Sequence, residues 1–194
     1  MSRAVTALHE RPRDRVAVEL DGQSWRTLPA EVVVRVGLTV GRRLDRETAR
    51  ALARELRRSR ALARALHALA VRDRSRGELE SRLARAGLPA DARDDALAAL
   101  ERGGLVDDAR VAACRASTLA RRGYGDAAIR ADLEGRLVPP DAVSSALAAL
   151  DPEHERARAL LDGARDRAAA SRRLAARGFD RELLMELAPF AQEA

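Results

Sequence analysis

Ser75-Arg-Gly-Glu78-Leu79, followed by Leu83, then Gly87-Leu88-Pro89, then Ala96-Leu97 and Leu100, is the stretch whose reading decides the fold. Ser75-x-x-Glu78 is a capping box: the hydroxyl accepts a hydrogen bond from the Glu78 amide and the carboxylate reaches back to the Ser75 amide, so a helix opens here. Fifty positions later the apolar pattern recurs, with Ile129 for Leu79, Leu133 for Leu83, Val138 for Leu88, Ala146-Leu147 for Ala96-Leu97 and Leu150 for Leu100. A third copy lies 41 positions further on, with Leu174 for Leu133, Phe179 for Val138 and Leu187 for Ala146. Each copy is preceded by an amphipathic segment of helical period, at 61–71, 109–121 and 153–164. The recurring unit is therefore three helices, and the expected modules are 61–104, 105–151 and 152–194.

The punctuation agrees. Glycines 87, 103, 104, 123, 125 and 178 and prolines 89, 139, 140 and 152 fall between the expected helices. A module of about forty residues buries too little surface to be secure alone, so neighbours must share a core. The expected fold is mainly α: tandem three-helix repeats forming an elongated curved array, behind a small N-terminal leader, residues 1–60. Within the leader, residues 1–14 read as a frayed polar tail. Alternating runs at 16–20 and 24–28 flank Asp21-Gly22, a hairpin signal because both central residues of a type I′ turn need positive φ. Residues 31–36, rich in β-branched side chains, suit a third strand or a short helix stopped by Gly37, and are read as the helix. Residues 48–60 are read as a helix carrying Leu52 and Leu56, with Arg57-Arg58-Ser59-Arg60 as a basic junction.

Composition supports this reading. The 194 residues are 46% hydrophobic and 34% charged, which argues for a globular protein over a disordered one. Aromatic residues make up 2%, too few for an all-β sandwich or barrel. There is no lysine, so all 36 basic residues are arginine, against 30 acids. Residues 1–60 hold 14 Arg and 8 acids, while the rest balance at 22 and 22, so the excess of +6 is confined to the first third. No apolar run approaches the ~20 residues of a membrane span. Cys114 is the single cysteine, which excludes an intramolecular disulfide and fits a reducing cytoplasm.

Chemistry-bearing residues are scattered. His9, His67, His154 and Cys114 have no metal-ligand spacing. Cys114 has no visible base and is expected on the inner face of its helix. Gly123-Tyr124-Gly125 lacks the lysine and following hydroxyl of a phosphate-binding loop and reads as a flexible corner. One of Asp107-Asp108 is expected to cap the next helix, leaving Arg110 and Arg115 for solvent or a partner. The arginine clusters at 57–60, 72–76, 121–122 and 172–173 suit bidentate contact with phosphate or carboxylate. Tyr124 beside Arg121 and Arg122 is the one stacking candidate, so contact with nucleic acid would be to phosphates without base reading.

Four stretches carry a family resemblance. Leu69-Ala-Val-Arg72-Asp73-Arg74-Ser75-Arg76-x-Glu78-Leu79-x-x-x-Leu83 resembles the RecX family of bacterial recombination regulators. Gly104-Leu105-Val106-Asp107-Asp108-Ala109-Arg110-Val111-Ala112 and Arg122-Gly123-Tyr124-Gly125-x-x-x-Ile129-x-x-x-Leu133 are similar to two further family segments. Arg172-Arg173-Leu174-x-x-Arg177-Gly178-Phe179 resembles a weaker third copy. The likeness covers about residues 61–190. Val111 stands where the family usually has an aromatic residue, and Gly135 is displaced from the usual corner. The resemblance implies a non-catalytic regulator without cofactor or metal that docks on the RecA recombinase filament. It also implies restraint of ATP hydrolysis, strand exchange and co-protease activity. The residues assigned to partner or DNA contact are Arg72, Arg74, Arg76, Asp108, Arg110, Arg121, Arg122 and Tyr124. The expected protein is a cytoplasmic monomer; the alternative is a helical architectural protein holding single- or double-stranded DNA through its phosphates.

Overall fold

The computed structural model describes residues 3–188. Phe190 and the end of the third expected module, to 194, lie outside the described residues. The leader is a small antiparallel sheet. Strands β2 (Arg15–Leu20) and β3 (Gln23–Pro29) are joined as expected by Asp21-Gly22, at φ 51° and 79°, the left-handed geometry that a two-residue hairpin demands.

Residues 3–14 are not a tail. β1 (Arg3–Arg11) pairs with β2 from Val5↔Leu20 to Arg11↔Arg15. It also pairs with the short β4 (Arg43–Leu44), so the strand order is β3-β2-β1-β4. The connection to β2 places Arg13 and Asp14 at φ 64° and 53°, a turn made without glycine. A bare two-stranded ribbon is marginal in water, and the third strand removes that difficulty. Helix α1 (Ala30–Val36) follows, and Gly37 caps it at φ 67°. Val5, Val18, Leu20 and Leu28 from the strands meet Val32, Val33, Val36 and Leu38 in one buried cluster.

Helix α2 (Arg46–Leu69) opens on Asp45, whose carboxylate accepts the Thr48 amide at 2.7 Å. It passes without interruption through residues 57–60, so the expected basic junction is helical. Nothing in Arg-Arg-Ser-Arg breaks a helix, and arginine is a good helix former. The two halves of α2 have different duties. Leu52 joins the leader cluster, whereas Ala61 packs with Ala92 and Ala96 of α4 (Ala90–Arg102). In chain order α3 (Arg76–Arg85) comes between α2 and α4.

Two further triplets follow. Helices α5 (Asp108–Arg121), α6 (Asp126–Gly135) and α7 (Pro140–Ala148) enclose Ala112, Ala116, Ile129, Leu133 and Val143. Helices α8 (Glu153–Asp162), α9 (Arg167–Ala176) and α10 (Arg181–Leu187) enclose Ala157, Leu161, Leu174, Phe179 and Leu184. Asp107, Asp166 and Asp180 cap α5, α9 and α10 with their carboxylates. The chain divides into two compact units: residues up to Val71 with Glu80–Arg102, and Arg72–Leu79 with everything from Gly103 on.

Cys114 is exposed, which corrects the inner-face expectation. The buried positions of α5 are Val111, Ala112, Ala116 and Leu119, and 114 falls on the opposite side of that stripe.

Val5 is 1% exposed. Val5→Ala should therefore cost about 2 kcal/mol in urea unfolding, whereas a frayed tail would give no change.

Candidate functional site

The residues assigned to partner contact gather at two places, the turn before α3 and the turn before α6. In each, the opening of a helix is pressed against the corner that ends a later helix. Ser75 both caps α3, accepting the Glu78 amide at 3.0 Å, and donates its hydroxyl to the Arg136 carbonyl at 2.5 Å. Asp108, the first residue of α5, accepts the Arg76 amide at 2.7 Å. A Cβ on Gly77 would lie 2.6 Å from both Cβ and O of Leu137.

The turn before α6 repeats the device. The Gly125 amide donates to the Arg177 carbonyl at 3.0 Å and the Ala127 amide to the Gly178 carbonyl at 3.2 Å. Glu153, the first residue of α8, accepts the Asp126 amide at 2.7 Å. A Cβ on Gly125 would stand 2.3 Å from the Gly178 carbonyl oxygen, and one on Gly178 would stand 2.6 Å from the Ala128 nitrogen. The Gly123-Tyr124-Gly125 corner is therefore pinned by backbone contact, not flexible. Where one corner carries Leu137, at φ 56°, the incoming turn supplies Gly77; where the other carries Gly178, the incoming turn presents Ala128.

The arginines line these contacts. Arg72 grips the Glu78 carboxylate with both Nη atoms, at 2.5 and 3.1 Å, and Arg74 stands 3.9 Å from it. Burial acts to raise the Glu78 pKa, but the hydrogen bond and charge of Arg72 and the Ser75 amide outweigh it, so Glu78 remains below the usual carboxylate range. Arg76 and Asp108 are half-buried at the same turn. Arg110 donates to the Gly104 carbonyl at 3.2 Å and lies 3.6 Å from Asp107. Asp107, not Asp108, caps α5.

Around the second turn, Arg121 reaches Ser117 at 3.2 Å and Arg122 is exposed. Tyr124 stacks with neither of them: its ring lies under Arg177, 5.7 Å from the guanidinium carbon, because the docked corner delivers that side chain. Arg177 also donates to the Arg122 carbonyl at 3.2 Å.

Sequence reasoning missed Arg115, Asp132, Arg136 and Arg156. Arg115, expected to face solvent or a partner, instead holds Asp132 in a fork at 2.7 and 2.9 Å, and Arg136 reaches the same carboxylate at 2.7 Å. Arg156 donates to the Tyr124 carbonyl at 3.0 Å, to Asp126 and to the Asp151 carbonyl, and lies over the Phe179 ring. The Asp132–Arg136 pair, four apart across the end of α6, was the readable signal among these.

Among the described residues no group of three or more His, Cys, Asp or Glu could hold a metal ion. No helix among them is long and apolar enough to cross a membrane.

Three helical triplets behind a small antiparallel sheet, with a docking device that recurs from one triplet to the next, define a helical-repeat protein. Residues 61–100 match the family profile described as RecX, first three-helix domain. The chain is 36% identical over 141 residues to the Regulatory protein RecX of Mycobacterium avium (strain 104), covering 66% of this chain and 82% of that one. It is 42% identical over 100 residues to the Regulatory protein RecX of Mycobacterium ulcerans (strain Agy99), a match spanning 51% of this chain and 58% of the relative's length. A crystal structure of regulatory protein RecX superposes with a TM-score of 0.79 over 95% of this chain and 98% of that one at 20% identity, a likeness of fold. The crystal structure of RecX from Lactobacillus salivarius gives a TM-score of 0.60 over 68% of this chain and 94% of that one, at 18% identity. The chain belongs to the RecX family.

Two measurements probe the docking device. Gly178→Ala should destabilise the protein by about 2 kcal/mol more than Gly87→Ala. Both glycines have positive φ, +82° and +74°, but a Cβ meets backbone at Gly178 and nothing within 4 Å at Gly87. Asp132 is held at about 2, chiefly by hydrogen bonds from Arg115 against the opposing effect of burial, with Arg136 adding to them. Its contribution is fully present above about pH 4 and is lost as pH falls toward 2, because the unfolded chain binds the proton first. Chemical unfolding across that window should show a loss of at most about 2 kcal/mol in the native chain and a flattened profile in Asp132→Asn.

Proposed function

We propose that this chain binds the RecA recombinase filament and restrains its ATPase, strand-exchange and co-protease activities. The observation that carries this reading is the 36% identity over 141 residues to a protein named Regulatory protein RecX, a match spanning 82% of that relative. The recurring triplets, taken as modules 61–104, 105–151 and 152–194, suit a repeating target, since tandem units can touch successive protomers and gain from multivalency. In this reading the exposed Arg110, Arg121, Arg122 and Tyr124 meet the partner. Arg72, Arg74, Arg76 and Asp108 act one step back, by fixing the turn from which the contacting faces project. The protein acts as a soluble cytoplasmic monomer, without cofactor or catalytic step.

A second reading, direct DNA binding through phosphates, draws on the net charge of +6 confined to residues 1–60. It is weakened at the arginines first assigned to phosphate, since Arg72 already grips a carboxylate.

Titration of substoichiometric protein into RecA undergoing DNA-dependent ATP hydrolysis should slow turnover before one molecule per few protomers is reached. An unchanged rate throughout would sink the proposal. Co-sedimentation with a RecA–single-strand filament should exceed that with the bare strand. Equal sedimentation, together with a log–log salt slope of about −0.9 per phosphate contacted, would instead establish the DNA reading.

A further inference from the structure

Among the described residues the docking device occurs twice, yet three corners of the same kind exist. Leu83, Ala86 and Gly87 stand fifty positions before Leu133, Arg136 and Leu137, the first of the docked corners. On the preceding helix, the buried Ala61, Ala65 and Ala68 of α2 correspond to Ala112, Ala116 and Leu119 of α5. Arg64 thereby matches Arg115, and Arg82 matches Asp132.

At the two later corners the chain itself docks. At the first corner a Cβ on Gly87 would meet nothing within 4 Å. Beside it runs an open groove of about 340 Å³ lined by Ala63, Arg64, His67, Arg82, Leu83 and Ala86. Apart from Leu83, which forms the floor, each of these residues is exposed.

The charge of this groove is changed relative to its counterpart. At the docked corner Arg115 and Arg136 are joined by Asp132, and the incoming turn brings Arg72 together with Glu78. In the groove, arginine replaces the aspartate, so Arg64, Arg82 and His67 face the opening and no carboxylate lines it. A segment entering here must bring carboxylates of its own. It must also bring donors, because both docked corners are satisfied by hydrogen bonds into a corner carbonyl: Ser75 Oγ into Arg136 and Gly125 N–H into Arg177. A phosphate chain has no such donor, and the floor of the groove is apolar.

We infer that the α2–α3 groove, with the Ala86–Leu88 corner, is a docking site for an acidic polypeptide turn at the start of a partner's helix, small residues at its tip. It extends to a second protein the contact this chain already makes with itself. The assignment does not depend on which partner the family reading names.

The test uses the full chain and a fluorescein-labelled peptide of this protein's residues 72–85 bearing the substitutions R72E, R74E and R76E, with the unsubstituted peptide as control. Fluorescence polarisation should show saturable binding of the acidic peptide. Binding should be about tenfold weaker for the control peptide and for the chain carrying R64E and R82E. Circular dichroism checks that the variant folds, and His67→Glu serves as a second variant on the same rim. In ¹⁵N-labelled chain the peptide should shift the amides of residues 63–67 and 82–88. Equal binding by both peptides, or no shift in those segments, would overturn the assignment. So would a single-stranded oligonucleotide shifting them where the peptide does not. Concentration-dependent dimerisation abolished by R64E and R82E would assign the groove to a second copy instead and equally overturn it.

Discussion

The backbone of one helix opening lies against the backbone of another helix's closing corner, at a separation that one absent Cβ permits. Ser75 and Gly77 meet Arg136 and Leu137 in this way, and Gly125 meets Arg177 and Gly178. Each helix start has amides with no intrahelical acceptor and each corner has carbonyls with no intrahelical donor. At the second junction docking start on corner satisfies both at once, Gly125 and Ala127 amides into the Arg177 and Gly178 carbonyls; at the first the Ser75 hydroxyl donates to the corner carbonyl and itself accepts a start amide. The acidic first residue of the following helix, Asp108 or Glu153, takes the one further amide. The triplets are small, and this polar contact ties a helix start to a later corner without enlarging either apolar cluster. It also explains why Arg72–Leu79 groups with the residues from Gly103 onward: the turn's partners lie there, although its helix continues elsewhere.

Arginine without lysine suits such junctions. A guanidinium can straddle a carboxylate and still address a carbonyl, which a point-charge ammonium does less well. Arg156 does this most fully, reaching two carbonyls and Asp126 while covering Phe179, with its side chain 11% exposed. Basic clusters that look like phosphate readers in one dimension thus turn out to be partly internal. The exposed members of the set, Arg110, Arg121 and Arg122, are the ones that project from the surface.

The triplets were legible because their apolar positions recur at nearly constant spacing, and Ile129, Leu133 and Leu174 fall where Leu79, Leu83 and Leu133 predict. The Asp21-Gly22 hairpin was legible from turn chemistry alone. β1 was not, because its turn forces Arg13 and Asp14 into the left-handed region without glycine to announce it. The continuity of α2 was hidden by reading a run of charge as a boundary, although charge does not break a helix. The partners of Tyr124 and Arg115, and all those named for Arg156 except the Asp151 carbonyl, lie from 17 to 53 residues away in sequence, and the first of these depends on docking geometry that no local pattern encodes. Gly77 and Gly125 were visible as glycines, but the reason for them was not.

The device also has a direction. Every junction joins the start of a second helix to the corner of the next triplet, so a series built this way has an unused corner at its beginning and an unused start at its end. The last described start differs from the other two. The counterpart of Gly125 in α9 is Asp166, which accepts the Ala169 amide at 2.9 Å and so caps its own helix. Ser75, at the corresponding place of the first junction, also caps its own helix but keeps a hydroxyl proton to give the Arg136 carbonyl; the Asp166 carboxylate has none, so that side-chain bond into a corner carbonyl cannot form there. The beginning is not closed: Gly87 retains its positive φ and its open surroundings. The first corner keeps its glycine in open surroundings and the last described start lacks the side-chain donor that Ser75 uses, so the two ends of the described series differ in kind.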